Sequence, residues 1–328
     1  MVNKLKSNPY TELKNMLDDG LRQVDEIILK LADSHIELIP EIVNHLTQSG
    51  GKRIRPILTL ACAEMIGCTN PAIVKLAASV EFIHTATLFH DDVIDESDLR
   101  RGQQTAKSIW GNKASILVGD FLLSHAFKLM VRSGSLDALS MLASASITIT
   151  EAEVWQLDLI GKVLEEKDKY IQLILGKTAS LFAASCAVAG ILNKSDQAVL
   201  DALYEYGLNL GILFQITDDL LDYSADEKVF GKRIGSDFLE KKMTLPLIVL
   251  LNSANERDKQ IIIDNFCSDI PKIELISALI LKYDIAKNVE AYECIYLNRA
   301  HKALEILPDT PIRQILYDLL GYVIKRKD

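Results

Sequence analysis

Residues 72–95, AIVKLAASVEFIHTATLFHDDVID, decide the fold. The run is apolar at helical spacing and closes in acid, which predicts one long helix from Ala72 to about Asp95. On that helix Asp91 and Asp95 stand four apart on one face, their Cβ atoms about 5–6 Å from each other. Ile83, Ala86, Thr87, Leu88 and Phe89 just before them are apolar or small, so the helix end faces the interior. Two carboxylates there repel, and the partial negative charge of a helix C-terminus adds to the repulsion. A hard divalent cation relieves it. Magnesium suits the site, since it takes oxygen ligands, few of them from protein and the rest from water and phosphate. Residues 215–222, QITDDLLD, echo residues 88–95, LFHDDVID. Asp218 and Asp222 repeat the four-residue spacing, and two such copies, each ending a long and mostly uncharged helix, are hard to read as solvated helix ends.

Apolar residues recur at helical spacing almost everywhere in the chain. Leu13, Leu17, Leu21, Val24 and Ile28 open the chain with steps of three and four. Helices follow over 56–65, 114–131, 136–161, 167–192, 196–222 and 245–252, then 258–266, 272–282, 284–306 and 311–325. Pro311 after Asp309 and Thr310 is cap-then-proline chemistry. The chain has only 16 Gly and 8 Pro in 328 residues, too few for the turns of a β-rich protein. Convincing period-2 strands are absent and no GxGxxG follows a strand, which argues against Rossmann and P-loop enzymes. No Ser/Gly/Pro-rich linker interrupts residues 1–328, so the expectation is a single all-α domain.

A hydrophobic share of 49% against 25% charged residues excludes disorder as the main state. The balance of 36 Lys+Arg to 45 Asp+Glu, net −9, argues against a nucleic-acid-binding surface. An acidic chain can still hold an anion where cations gather or metal ions bridge. Cysteines 62, 68, 186, 267 and 294 form no CxxC pair and read as buried thiols of a reducing compartment. Residues 1–10 show no apolar signal segment. The longest uncharged run, Thr178 to Asn193, is shorter than a membrane span and reads as a buried core helix, so no transmembrane segment is expected.

Cations flank the acidic motifs. Gly50-Gly51-Lys52-Arg53-Ile54-Arg55-Pro56 places three cations within four residues, after two glycines and before a helix, a plausible anion site. Arg100-Arg101-Gly102 follows the first motif; Gly231-Lys232-Arg233 and Lys241-Lys242 follow the second. Carboxylate, metal, phosphate and basic side chain form a stack of alternating charge. His84, nearly two turns before Asp91, shares the metal face, whereas His90 reads as an ordinary core histidine.

These segments resemble the trans-isoprenyl diphosphate synthases, head-to-tail prenyltransferases, over nearly the whole chain. The GGKRxRP turn, the first DDxxD with its LRRG, the triplet Gly176-Lys177-Thr178, the second FQxxDDxxD and the GKxxGxD…KxTLP loop carry the likeness. Residues 80–92, 118–121 and 307–311 are most similar to the long-chain bacterial polyprenyl members, which implies a product of eight isoprene units for a quinone such as ubiquinone. The resemblance implies an isoprenoid-synthase helical bundle around a deep central apolar cavity, a cytoplasmic homodimer, both Asp-rich motifs at the cavity mouth and Mg2+ as cofactor. Asp91 and Asp95 would ligate magnesium on one wall with Asp92 supporting, and Asp218 on the other with Asp219 and Asp222 assisting. Lys52, Arg55, His84 and Arg101 would hold isopentenyl diphosphate; Arg100, Lys177, Lys232 and Lys242 would hold the allylic primer, farnesyl diphosphate. Thr178 and Gln215 would place dipoles near the developing cation.

The pattern departs from the family at Lys241, where glycine is usual, and at Arg233, where proline is common. Residues 223–243 are a candidate lid. Val80, Ile83, Ala86 and Thr87 should line the tunnel that sets chain length, with Met130 of the neighbouring helix as its floor. A transient membrane contact would release the product. Two rivals are an HD-type metal phosphohydrolase using His90-Asp91 and a non-catalytic subunit of a two-component synthase. The first would not need the second DDxxD, and the second loses Asp-rich motifs that are intact here. Other product lengths (geranylgeranyl, heptaprenyl, nonaprenyl) are further alternatives.

Overall fold

The computed structural model describes residues 8–48, 51–100, 102–224 and 235–325. These residues are helical nearly throughout. The exception is an antiparallel ribbon of two-residue strands, β1 (Leu99–Arg100) and β2 (Gln103–Gln104), which pairs Leu99 with Gln104 and Arg100 with Gln103. Strands this short carry no period-2 pattern, so none was visible in the sequence.

The chain gathers into two compact units. The first comprises Met1–Ser146, Leu181–Gly207 and Ala303–Leu319. It opens with α1 (Pro9–Met16), where the Asn8 side chain accepts from the Tyr10 amide ahead of an N-terminal proline. Next come α2 (Asp18–Leu29), α3 (Leu38–Gln48) and α4 (Ile54–Met65). The centre is α5 (Ala72–Ile94) against α6 (Ala106–Arg132). They run antiparallel: Lys75 Nζ donates to the Arg132 carbonyl at 3.1 Å, Ser79 Oγ to Ala126 O at 3.4 Å and Ser115 Oγ to Phe89 O at 2.9 Å. Small residues such as Ala77, Ala78, Gly119 and Ala126 allow the close approach, and all are buried. The expected start of α6 at Ala114 falls eight residues late. Thr105 caps the helix by accepting from the Ser108 amide, and Gly111 (φ 83°) puts a kink inside it, which masks the periodicity before Ala114.

The second unit comprises Ile147–Ser180, Leu208–Lys302 and Leu320–Asp328. The helix α7 (Leu136–Leu159) runs into it from the first. Then α8 (Lys167–Ile174) passes through a π-helical turn, Leu175–Ala179, into α9 (Ser180–Asn193), which from Leu181 onward belongs to the first unit, as does the following chain up to Gly207. The helix α10 (Gln197–Ser224) follows, then the short α11 (Ser236–Leu239) and α12 (Leu245–Ser253), buried from Leu245 to Leu251. The unit continues with α13 (Glu256–Cys267), α14 (Ile273–Lys282) and α15 (Ile285–Leu304); α16 (Pro311–Lys325) ends the described chain. The Thr310 hydroxyl accepts from the Arg313 amide at 3.2 Å, the cap expected before Pro311.

Among the described residues three stretches are long and apolar enough to cross a membrane: Ala72–Ile94, Ala106–Arg132 and Lys167–Asn193. The last exceeds the uncharged run because charged residues precede it, and like α5 it is mostly buried within the protein. By contrast α6 is mostly exposed, and Lys113, Asp120 and Lys128 share its outer surface with Ile116, Leu117 and Val131. Of the cysteines, Cys62 and Cys186 are buried as expected, whereas Cys267 and Cys294 are exposed.

Candidate active site

Each acidic motif folds the same way. In the first, Asp91 and Asp95 are partly exposed at the end of α5, while Asp92 points inward and is 5% exposed. Asp92 accepts from Arg100 Nε at 2.8 Å. Burial pushes its pKa up, and the Arg100 guanidinium pulls against that shift. Arg100 comes from the β1–β2 ribbon, so the ribbon is what returns it to the helix end. Its Nε–H is spent on Asp92, and only its terminal nitrogens can serve an anion. In the second motif Asp218 is exposed and Asp219 is buried, at 4% exposure. Tyr170 donates its hydroxyl to Asp219 Oδ2 at 2.6 Å and Gln215 donates Nε2 to Oδ1 at 2.7 Å. Burial raises the pKa of Asp219 to about 7 although both donors pull it down.

Asp222 is bonded to the segment beyond α10. Its Oδ1 accepts from the Ser236 amide (3.1 Å) and hydroxyl (2.7 Å), and its Oδ2 from the Asp237 amide (3.0 Å). Its carbonyl also accepts from the Gly235 amide at 2.8 Å. Asp222 therefore ties the far end of the expected lid to α10. Residues 225–234 of that lid, with Lys232 and Arg233, lie outside the described residues, as does Arg101.

The Gly-Lys-Thr triplet sits in the π turn, where one extra residue per turn redirects side chains. A Cβ on Gly176 would stand 2.8 Å from Ala152 Cβ, so the turn packs on α7 only as glycine. The Lys177 ammonium reaches α7, donating to Glu153 at 3.0 Å and to Gln156. Thr178 donates to Gln215 Oε1 at 2.8 Å. Thr178, Gln215, Asp219 and Tyr170 thus form one relay that fixes the amide of Gln215.

In the first unit the basic turn divides its cations. Arg53, in left-handed backbone (φ 49°), turns inward to Glu81, Nη1 to Oε1 2.6 Å. That ion pair, with Asp25 3.8 Å from the arginine Nε, engages Arg53 within the protein. Arg55 stacks over the Phe182 ring at 4.4 Å, a cation–π contact. Lys52 is exposed, and its carbonyl accepts from the Tyr10 hydroxyl at 2.6 Å. His84 is partly exposed, and its carbonyl accepts from Thr87 Oγ1 at 2.8 Å. Val80, Ile83, Ala86 and Met130 are buried and Thr87 is partly exposed. The contacts of Lys75 with Arg132 and Ser79 with Ala126 bracket Met130, setting it level with Leu76 and Ala77. That is roughly 21 Å along the helix from Asp91 at 1.5 Å per residue. His90 packs against Gly119: its Nε2 lies 3.3 Å from Ile116 O and 3.5 Å from Asp120.

Sequence reasoning missed Tyr170, Glu153, Glu81, Phe182 and the Ser236–Asp237 cap. A signal existed for Glu81, the one acid between Leu76 and Phe89. Tyr170 lies seven residues before Lys177, but its partner is 49 residues away and left no local trace.

Among the described residues no three His, Cys, Asp or Glu side chains gather as a metal site, and Asp91 and Asp95 on α5 and Asp218 on α10 each offer carboxylate oxygen. That chemistry fits a hard divalent cation taking its remaining ligands from water and phosphate.

The polyprenyl synthetase family matches residues 36–281. The octaprenyl diphosphate synthase of Escherichia coli (strain K12) is 38% identical over 322 residues, covering 96% of this chain and 98% of that protein. A decaprenyl diphosphate synthase structure from Rhodobacter capsulatus superposes with a TM-score of 0.91 at 41% identity, covering 97% of this chain and 99% of that one. A polyprenyl synthase from Caulobacter crescentus CB15, complexed with calcium and isoprenyl diphosphate, gives 0.92 at 37% identity over 99% and 100%. With the likeness running the length of the chain in sequence and in backbone, this all-α protein belongs to the polyprenyl synthetase family and is a prenyltransferase.

Proposed function

We propose that the chain is an octaprenyl diphosphate synthase acting as one catalytic domain. It extends farnesyl diphosphate with isopentenyl diphosphate to an eight-unit chain for a quinone. The observation that carries the reading is the paired folding of the two motifs: in each, the second aspartate is buried and tied down while the first stays at the surface. The eight-unit length rests on the small residues Ala86 and Thr87 just before Asp91, and on the octaprenyl relative.

Asp91, Asp95 and Asp218 would hold Mg2+. When bound, the metal supplies Lewis acidity to the departing diphosphate. Lys177, Lys242, Arg100 and Lys232 hold the allylic diphosphate, whose carbon–oxygen bond ionises in their grip. Lys52, Arg55, His84 and Arg101 hold isopentenyl diphosphate, whose double bond attacks the allylic cation. The proton lost afterwards goes to the diphosphate. Thr178 and Asp219 clamp Gln215 from both ends, so its dipole does not reorganise as charge develops. Water must be kept out, because it would quench the cation to an alcohol.

The exposed apolar residues Ile116, Leu117, Val131 and Leu136 of the first unit are assigned to a homodimer of a cytoplasmic enzyme. Lys113, Asp120 and Lys128 on the same surface disfavour lipid as its neighbour. The test incubates purified protein with labelled isopentenyl diphosphate, farnesyl diphosphate and Mg2+ and sizes the products. Forty-carbon chains are expected. Phosphate release without elongation would refute the reading, and product of another length would refute its octaprenyl part.

A further inference from the structure

Lys241 stands where the family usually has glycine, and the structure shows what it does there. Its backbone is left-handed, φ 60°, a conformation that glycine adopts freely and that crowds the Cβ of any other residue. Glycine would therefore be the cheaper residue, unless the side chain returns the cost. The ammonium reaches the C-terminal end of α13, donating to the Phe266 carbonyl at 2.6 Å and to the Ser268 carbonyl. Helix carbonyls at this end lack intrahelical partners and carry partial negative charge, so a lysine there is doubly favoured. The ammonium also lies over the Phe266 ring, 5.8 Å from its centroid. The Lys241 carbonyl accepts from the Gly161 amide at 3.0 Å, just beyond α7. The residue is thus fastened at both its backbone and its side chain.

The fastening bears on its neighbour. The strap 235–243 is held at one end by Asp222 through Ser236 and Asp237, and at the other by Lys241. Immediately after the second anchor the Lys242 amide donates to the Asp237 carbonyl at 2.8 Å, and the Lys242 ammonium meets Glu240 at 2.8 Å. We infer that Lys241 is a positioning residue that pins this strap to α13, so that Lys242 is presented to the allylic diphosphate already ordered. The inference rests on the assignment of Lys242 to that diphosphate. An unpinned strap would spend binding energy on ordering itself, and that loss falls on the substrate Lys242 holds.

Three variants test it. Lys241→Gly keeps the backbone conformation and removes the ammonium, Lys241→Met keeps the stem without donors, and Lys241→Arg restores a cation. Amide hydrogen exchange over 236–243 reads the pinning, and the two KM values read its consequence. Faster exchange in the Gly and Met variants is expected, with KM for farnesyl diphosphate raised about three- to tenfold, KM for isopentenyl diphosphate and kcat near wild type, and Arg recovering most of the loss. Unchanged exchange overturns the pinning. Equal changes in both KM values, tracking a fall in Tm, overturn the positioning role in favour of a merely structural one. Faster exchange without a KM change is read against Lys242→Met. If that variant raises KM for farnesyl diphosphate, the positioning role fails; if it does not, the assignment of Lys242 fails.

Discussion

Tyr170→Phe deletes one hydroxyl and leaves the ring in place, so its effect reports on the bond to Asp219. Tyr170 is 2% exposed and gives Asp219 one of two side-chain donors, the other coming from Gln215. A hydrogen bond to a charged group is worth about 1.5–3 kcal/mol. At roughly 2.1 cal/mol/K of unfolding entropy per residue, a chain of this length would lose about 2–4 °C in Tm. The pH dependence makes the test sharper. The native pKa of Asp219 is about 7, above the unfolded value of about 3.9, so the native state keeps a proton that the unfolded state has released. Stability therefore falls as pH rises between those values and levels off above about 7. Tyr170 pulls the native value down, so Tyr170→Phe raises it and the decline continues further into the alkaline range. Melting with a chelator present, from about pH 5 to about pH 9, should show the two curves close together in acid, where the carboxyl is neutral in both. They should separate as pH rises. A constant offset at every pH, or no offset above neutrality, would refute the relay.

Arg55→Ala should raise KM for isopentenyl diphosphate about ten- to hundredfold and leave that of the allylic substrate much less changed, as two-substrate kinetics would show. Ala86→Phe should stop the product at about fifteen to twenty carbons, because its ring lies about 7.5 Å along the helix from Asp91. If α5 merely packs there, overpacking should instead cost about 1–3 kcal/mol in stability without shortening the product. Gly119→Ala would place a Cβ 2.4 Å from His90 Nε2, so the ring must leave its place between α5 and α6. A measurable fall in both Tm and kcat is expected, since Asp91 adjoins that ring.

The sequence showed most of the helices, because their apolar spacing survives burial on one face. It showed less where the backbone departs from regular geometry. Gly111 hid the first turns of α6, and the π turn at Leu175–Ala179 was invisible because its residues still read as helix. The helical setting of the acidic motifs was legible, with Asp91 near the end of α5 and Asp218 near the end of α10, while their part in metal binding is the proposal made above. The division of labour within each motif was not legible. Asp92 goes to Arg100 eight residues on, Asp219 to Tyr170 on another helix and Asp222 to the strap at Ser236, all choices made by packing. For the same reason Arg53 and Arg55 looked equivalent in sequence, yet Glu81 takes one and the Phe182 ring the other.

The most direct test of the account is the turnover of Asp91→Ala and Asp218→Ala, measured as incorporation of labelled isopentenyl diphosphate with the helical CD spectrum as control. These carboxylates are assigned to the metal, whose charge stabilisation is worth several kcal/mol. The predicted result is a fall in kcat of roughly a thousandfold or more in each variant with the fold intact. Near-wild-type turnover in either would contradict the assignment.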